Sequence, residues 1–335
     1  MIVRQAFALV LILSVLLCGC SRQTNLSEGF ETVSDDEQLP SGWSLATKKG
    51  TYRIAQVGDS VEGVSAIAIA GSGGRTKVTG PSIQVQPNQI LLGRIWLKPK
   101  LARAAECFIG FESAGGDDQN QLSARRDING QSTEWTEAWC VIPAQSAAEA
   151  MSTRFTIELV GDGVLLCDDL QISHYQIESS IQLNNTAFES VDTDGHINDW
   201  HESSDLGPAK AERVSASRRK VADCLRLEGD GGWAVATQYL PIQLRNNIVL
   251  FTAYVRAKKG EAGLKIEFFH DEQDLGDARS AKTSGDSWEL LSVVCDTARF
   301  KDANQMRITL ASESSPKSTG SVAYFDELSL EVLKK

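Results

Sequence analysis

The chain has 335 residues, and its 33 Lys and Arg against 44 Asp and Glu give a formal net charge of −11. That excess argues against nucleic acid and anionic membrane surfaces as partners, because both are bound by basic patches. The one tight basic run, Arg218-Arg219-Lys220, is too short to reverse it.

Residues 1–20 read MIVRQAFALVLILSVLLCGC. One Arg, a largely apolar run from Ala6 to Leu17 and then small residues predict a secretory signal, since the run falls well short of the roughly 20 residues needed to cross a bilayer. Its end, Leu17-Cys18-Gly19-Cys20, resembles the bacterial lipobox. That resemblance implies lipidation at Cys20 and a protein held by its lipid on the cell envelope; a plain signal peptide with an incidental Cys pair is the alternative. Only about six residues separate Cys20 from the first folded segment, a tether of roughly 20 Å.

Two stretches further on use the same words. Residues 29–45 read GFETVSDDEQLPSGWSL and residues 186–202 read TAFESVDTDGHINDWHE, each with Phe-Glu ahead of an acidic turn and a Trp after it. DTDGHIND is similar to a calcium loop of the EF-hand type, but with Gly195 at its sixth place the anchoring first and twelfth places are Ser190 and His201, so both end carboxylates are missing. The stretch reads better as a turn inside a long repeat. Phe188-Glu189 follows Phe30-Glu31 by 188 − 30 = 158 positions. The same offset takes Ala66–Gly71 to Cys224–Gly229, Ile95–Lys98 to Ala253–Arg256 and Cys167–Ile172 to Phe325–Leu330. One offset at four separated places predicts two copies of one unit of about 150 residues, an ordinary size for a domain with its own core. The expected division is 1–20 signal and lipobox, 26–175 first domain, 181–333 second.

Within each copy the apolar residues alternate with polar ones. Leu91–Leu97 and Phe155–Leu159 in the first, and Leu250–Val255, Leu264–Phe268 and Ile308–Leu310 in the second, predict short strands with one dry and one wet face. Separated by Gly, Asn, Asp and Ser turns, they predict an all-β chain of two tandem antiparallel β-sandwich, jelly-roll domains. Five cysteines remain, Cys107, Cys140, Cys167, Cys224 and Cys295, at positions the copies do not share. An odd number at unmatched apolar places predicts buried free thiols, and no CxxC spacing suggests zinc.

The opening Phe-Glu with its later Trp, the strand Phe-Thr-Ala-Tyr-Val-Arg at 251–256, the late Trp135 and Trp288, and the closing Asp-Asp/Glu-Leu-x-Leu strand together resemble carbohydrate-binding modules of families four and nine, in the galactose-binding-like superfamily. The first copy departs in starting Ser-Glu-Gly-Phe-Glu, and the second lacks a Gly directly before Trp200. The resemblance implies a jelly roll and a poly- or oligosaccharide partner. It also implies structural calcium, one ion per domain, at acid pairs where the terminal strands meet, Glu31 with Asp168 and Glu189 with Asp326. The bland reading of these acids is that they end a strand or cap a turn.

Sugar recognition stacks aromatic rings on pyranose faces. Trp96 and Tyr254 occupy equivalent strand positions between apolar neighbours of opposite parity, Ile95 and Leu97 or Ala253 and Val255, so alternation puts both rings on the wet face. They are the first candidates for a carbohydrate platform, with Trp139 and Trp233 second; cover for a core rim or an inter-domain contact is the competing role. Trp43, Trp200, Trp135 and Trp288 recur beside strand starts and are expected in the core. No GxSxG, HExxH or phosphate loop is present, and the four His residues do not recur between copies. The expectation is a non-catalytic glycan-binding lipoprotein; a surface protein-interaction module on the same sandwiches is the alternative.

Overall fold

A computed structural model describes residues 26–30, 39–48, 51–85, 88–102, 105–113, 125–128, 134–143, 151–194, 196–204, 210–215, 224–244, 246–280, 282–314 and 319–334. The first repeat contributes β1 (Leu26–Glu28), β2 (Ser44–Lys48), β3 (Thr51–Val57), β4 (Ala66–Val85), β5 (Ile90–Leu101), β6 (Glu106–Ser113), β7 (Arg125–Ile128), β8 (Thr136–Ile142) and β9 (Met151–Ser180). The second contributes β10 (His201–Ser204), β11 (Lys210–Val214), β12 (Cys224–Gly229), β13 (Trp233–Pro241), β14 (Ile248–Lys259), β15 (Glu261–His270), β16 (Gln273–Arg279), β17 (Glu289–Asp296), β18 (Gln305–Glu313) and β19 (Ser321–Lys334).

Every strand pair is antiparallel, and each repeat is a sandwich of two layers. In the first repeat the front layer runs β3-β4-β9-β5-β8 and the back layer β2-β4-β9-β6-β7, the long strands β4 and β9 passing from one layer to the other. In the second the front layer is β11-β12-β19-β14-β17 and the back layer β10-β13-β18-β15-β16. The two long strands have become four: β12 and β13 do the work of β4, and β18 and β19 that of β9.

Two separate cores lie between the layers. One gathers Ile67, Ile95, Leu97, Ile109, Phe111, Phe155 and Ile157, the other Leu225, Phe251, Val255, Ile266, Phe268, Ile308 and Phe325. The shared opening words are explained by packing. Phe30 and Phe188 both stand at positive φ, 56° and 55°, and each ring meets a buried Trp, Trp43 or Trp200, at a centroid distance of 5.7 Å. A bulky residue in the left-handed region is costly, so the contact has to hold it there. The described residues of DTDGHIND turn back on themselves: the Asp192 carboxylate accepts from the N–H of Asp194 and of His196, both at 2.9 Å, and Val191 bridges Ile197.

The repeats are also fused. β9 continues past Tyr175 to Ser180 and pairs with the end of β19, Ser180 opposite Glu331 and Gln176 opposite Lys334. The front layers thus join in the order β8-β5-β9-β19-β14-β17. A third apolar cluster closes this joint: Ile90, Leu92 and Val141 from the first repeat against Leu250, Val294 and Leu333 from the second, with Trp139, Tyr175 and Ile248 at its margin. Its members are equivalents of one another. Ile90 matches Ile248, Leu92 matches Leu250 and Tyr175 matches Leu333 at the offset of 158, while Val141 and Val294 are the cross-strand partners of Leu92 and Leu250. The contact has the self-complementary character of a two-fold interface, built within one chain. The five cysteines are buried free thiols, and burial above all pushes the Cys295 thiol up to about 12, so it is an inert apolar filler.

Candidate functional site

Asp168 is fully buried, and its carboxylate accepts three backbone N–H groups: Val61 at 2.7 Å, Glu62 at 3.0 Å and Asp169 at 2.8 Å. Asp326 accepts from the N–H of Glu327 at 2.8 Å. In both repeats the next residue has positive φ, 43° at Asp169 and 51° at Glu327, and pairing with β5 or β14 slips there, between Arg94 and Trp96 or between Thr252 and Tyr254. The recurring Asp-Asp/Glu therefore makes a β-bulge, its first carboxylate holding the following N–H. Glu189 is exposed, and Cys20 and Glu31 lie outside the described residues. Among the described residues no three His, Cys, Asp or Glu gather as metal ligands.

The bulges set Trp96 opposite Asp168 and Tyr254 opposite Asp326. Both rings are half-buried on the outward face of the front layer, as alternation requires, but ion pairs hem in the Trp96 face. Arg94 meets Asp169 at 2.5 Å and Glu137 at 3.7 Å, and Arg299 crosses from the second repeat to Glu137 at 2.5 Å. Trp139, paired with Arg94, packs on the apolar joint. Trp135 and Trp288 are corrected from the expected core: each is half-buried beneath a cation, Lys98 at 5.9 Å from the Trp135 ring and Arg256 at 5.7 Å from that of Trp288. Cation–π contact and the apolar joint account for much of this aromatic face.

A different arrangement occupies the outward face of the back layer in the second repeat. Cross-strand register aligns Tyr239 (β13), Arg307 (β18) and Glu267 (β15) in one row, with Phe269 in the next row. Glu267 is nearly buried, yet it accepts from Arg307 through both oxygens at 2.7 Å, from Lys265 at 2.5 Å and from the Thr309 hydroxyl at 3.2 Å. Burial alone would raise its pKa; these donors outweigh burial and hold it down at about 2. Arg307 is raised above its ordinary value chiefly by the same bonds. The guanidinium also donates to the Tyr239 hydroxyl at 2.8 Å and lies over the rings of Tyr239 and Phe269, at 5.5 and 5.1 Å. Tyr239 is thus fixed at its tip by an anchored cation while its ring stays 48% exposed. Six residues back on the same face of β13 stands Trp233, 39% exposed.

The first repeat keeps the frame and lacks the ring. Register makes Glu112 and Arg154 the counterparts of Glu267 and Arg307, and Ser82 that of Tyr239. There Lys77 holds Glu112, Arg75 holds Glu158, and Ser82 bonds Ser152 at 2.5 Å. Sequence reasoning missed Tyr239, Phe269, Arg307 and Glu267 because it ranked recurring aromatics first and beyond them weighed only tryptophans, Trp139 and Trp233. The signal was local: in Leu264-Lys-Ile-Glu-Phe-Phe269 the last Phe shares the parity of Lys265 and Glu267, and Tyr239 shares that of Thr237.

Comparison with known proteins adds likenesses of fold. No family model matches the chain, and no curated protein matches it. Among solved structures it is similar to the tandem CBM22-1-CBM22-2 domain of Paenibacillus barcinonensis Xyn10C, at 14% identity and a TM-score of 0.33 over 91% of this chain and 96% of that one. It is also similar to a CBM4 structure, at 15% identity and a TM-score of 0.31 over 45% of this chain and 99% of that one. A third likeness is to the arabinose-bound MgGH51 α-L-arabinofuranosidase, at 13% identity and a TM-score of 0.36 over 45% of this chain and 26% of that one. The resemblance read from the sequence therefore has carbohydrate-binding modules among its structural neighbours, a tandem pair included. At these identities and TM-scores they carry no argument, and the functional reading rests on the residues above.

Proposed function

We propose that the chain is a non-catalytic glycan-binding lipoprotein whose binding surface is the back layer of the second repeat. The observation that carries this is the Tyr239 ring, nearly half exposed and held by an Arg307–Glu267 pair with Phe269 beside it. A flat apolar ring presented rigidly among hydroxyls and charged groups suits a pyranose, whose ring faces are apolar and whose edges carry hydroxyls. Catalysis of glycoside cleavage would need a carboxylic acid with a raised pKa to protonate the leaving oxygen. Glu267, the buried acid of this face, is held the other way.

Anchoring through Cys20 belongs to the same proposal, supported by the lipobox-like end of the leader. The front-layer rings Trp96 and Trp139 are assigned to rim and joint, on the strength of the ion pairs beside the first and the apolar contacts of the second, and Tyr254 is ranked behind Tyr239. Calcium at Glu31–Asp168 and Glu189–Asp326 is supported by the recurrence of both acids at one offset, against which stand the N–H groups that already face Asp168 and Asp326. Thermal melts with added calcium and with chelator separate these: a melt raised by calcium supports the ion, and an unchanged one leaves the two Asp residues as bulge caps.

The test of binding is a polysaccharide pull-down with the chain lacking residues 1–20. Three proteins are compared: wild type, Tyr239→Ala, and the Trp96→Ala, Tyr254→Ala double variant. Retention that Tyr239→Ala loses and the double variant keeps is the expected result. Loss in the double variant alone would move the site to the front layer, and a folded wild type that retains nothing would favour a protein-interaction module.

A further inference from the structure

Around Tyr239 the rows of the back layer can be read off the register. Row by row across β13, β18 and β15 they are Tyr239-Arg307-Glu267, Thr237-Thr309-Lys265, Val235-Ala311-Gly263 and Trp233-Glu313-Glu261. Large side chains close both ends, and between them the floor is low at Val235, Ala311, Gly263 and the two Thr residues, with Lys265 at its β15 side drawn onto Glu267 and β10 flanking it with His201 opposite Thr237 and Ser203 opposite Val235. Successive residues advance about 3.3 Å along a strand, so the six steps from Trp233 to Tyr239 span roughly 20 Å. That is the length of several linked pyranose rings.

The cations of this face are paired. Arg307 and Lys265 serve Glu267, Lys282 bridges Glu313 at 2.5 Å and Glu261 at 3.6 Å, and Arg279 holds Asp277 at 2.5 Å. An acidic sugar would have to break one of these pairs, and it would approach a chain that is already negative.

Resting on the binding face argued above, we propose that its ligand is an uncharged linear oligosaccharide lying along β13, with one sugar stacked on Tyr239 and a distant one on Trp233. Affinity then comes in two instalments, one from each ring, and the second is gained only by chains long enough to reach it. Between them the buried Thr237 and Thr309 spend their hydroxyls on the His201 carbonyl and on Glu267, which leaves the exposed His201 on the neighbouring strand to meet the sugars in the middle.

The experiment is calorimetric titration of the chain lacking residues 1–20 with cello- and xylo-oligosaccharides of increasing length, and with oligogalacturonate as the charged control. Wild type is compared with Trp233→Ala and with Tyr239→Ala. Affinity is expected to climb with length and then level off. Trp233→Ala should cut affinity for the long oligomers about tenfold, one aromatic contact's worth, and leave the shortest binders unchanged. Tyr239→Ala should weaken all lengths, and oligogalacturonate should bind at least tenfold more weakly than its uncharged counterparts. Tyr239-dependent binding that ignores both length and Trp233, or that prefers the charged oligomer, overturns the inference and leaves the binding face standing. Absence of any Tyr239-dependent binding to these oligomers or in the pull-down removes both.

Discussion

Glu267 is the residue on which the candidate face depends, and its substitution by Gln has a computable cost. The folded protein holds its carboxyl at about 2 against an ordinary 4.5. Each unit is worth about 1.4 kcal/mol, so the carboxylate contributes about 3 kcal/mol at neutral pH. That is an upper figure, because the side chains of Arg307 and Lys265 are 28% and 27% exposed and water screens them. The sign follows from linkage. A depressed folded pKa means that the unfolded chain takes up the proton first as pH falls, so the stabilisation is complete above about 4.5 and is lost as pH drops toward 2. Urea unfolding of wild type and Glu267→Gln, followed across pH 7 to 3, should show a difference of at most about 3 kcal/mol at the top that shrinks by more than half at the bottom. A difference that stays constant over that range would refute the reasoning, since it would place the cost in packing instead of charge.

Two further outcomes are expected. Leu92→Ala with Leu250→Ala removes two fully buried side chains from the joint and touches neither repeat's own core, so a cost of about 2–5 kcal/mol each should fall on the coupling of the repeats. Calorimetry should then show one cooperative transition splitting into two; a single, merely lowered transition would contradict a joint role. The equivalent positions Gly93 and Phe251 should fail in opposite ways. A Cβ at Gly93 would stand 2.9 Å from the Phe111 ring and 3.0 Å from both Cys140 Sγ and Phe155, so Gly93→Ala should cost about 1–3 kcal/mol by overpacking. Phe251→Ala should cost about 3–5 kcal/mol by leaving a cavity; urea unfolding measures both.

Period-two alternation made the architecture legible, because a strand with one dry face must show it. The repeat was legible for the same reason: Ile95 and Ala253, or Leu97 and Val255, fill the same inward places. Position 93 shows how the duplication survives drift, since Phe111, Phe155 and Cys140 crowd over Gly93 where the second repeat simply has Phe251. What sequence left open was the role of each wet-face aromatic. Trp96 and Tyr254 have the spacing a platform needs, but spacing is silent on the neighbouring elements: strand pairing brings Glu137 beside Arg94, and Arg299 joins them only once the repeats dock. Tyr239 was hidden because its counterpart Ser82 has no ring, so recurrence gave it no weight, and the single-copy candidates Trp139 and Trp233 were the more conspicuous indoles.

That asymmetry bears on how two copies of one fold divide their work. A sandwich has two outward faces, and a fused pair must give one of them to the joint. Here both copies give the front: equivalent residues, Ile90 with Ile248 and Leu92 with Leu250, are buried together, and such a contact constrains both front faces at once. The back faces are released from that constraint and have diverged. In the first repeat Arg75, Lys77, Glu112 and Glu158 tie one another up over a floor with no exposed ring described. In the second, Glu267 and Arg307, at the places of Glu112 and Arg154, hold an aromatic upright. A paired charge row needs no ligand to satisfy it, whereas a Tyr ring nearly half exposed on a rigid mount keeps apolar area in water, and covering that area is what a stacked sugar would gain. On the proposed reading the first repeat is the mount and the second the binding face, a division that two freely hinged copies would not impose.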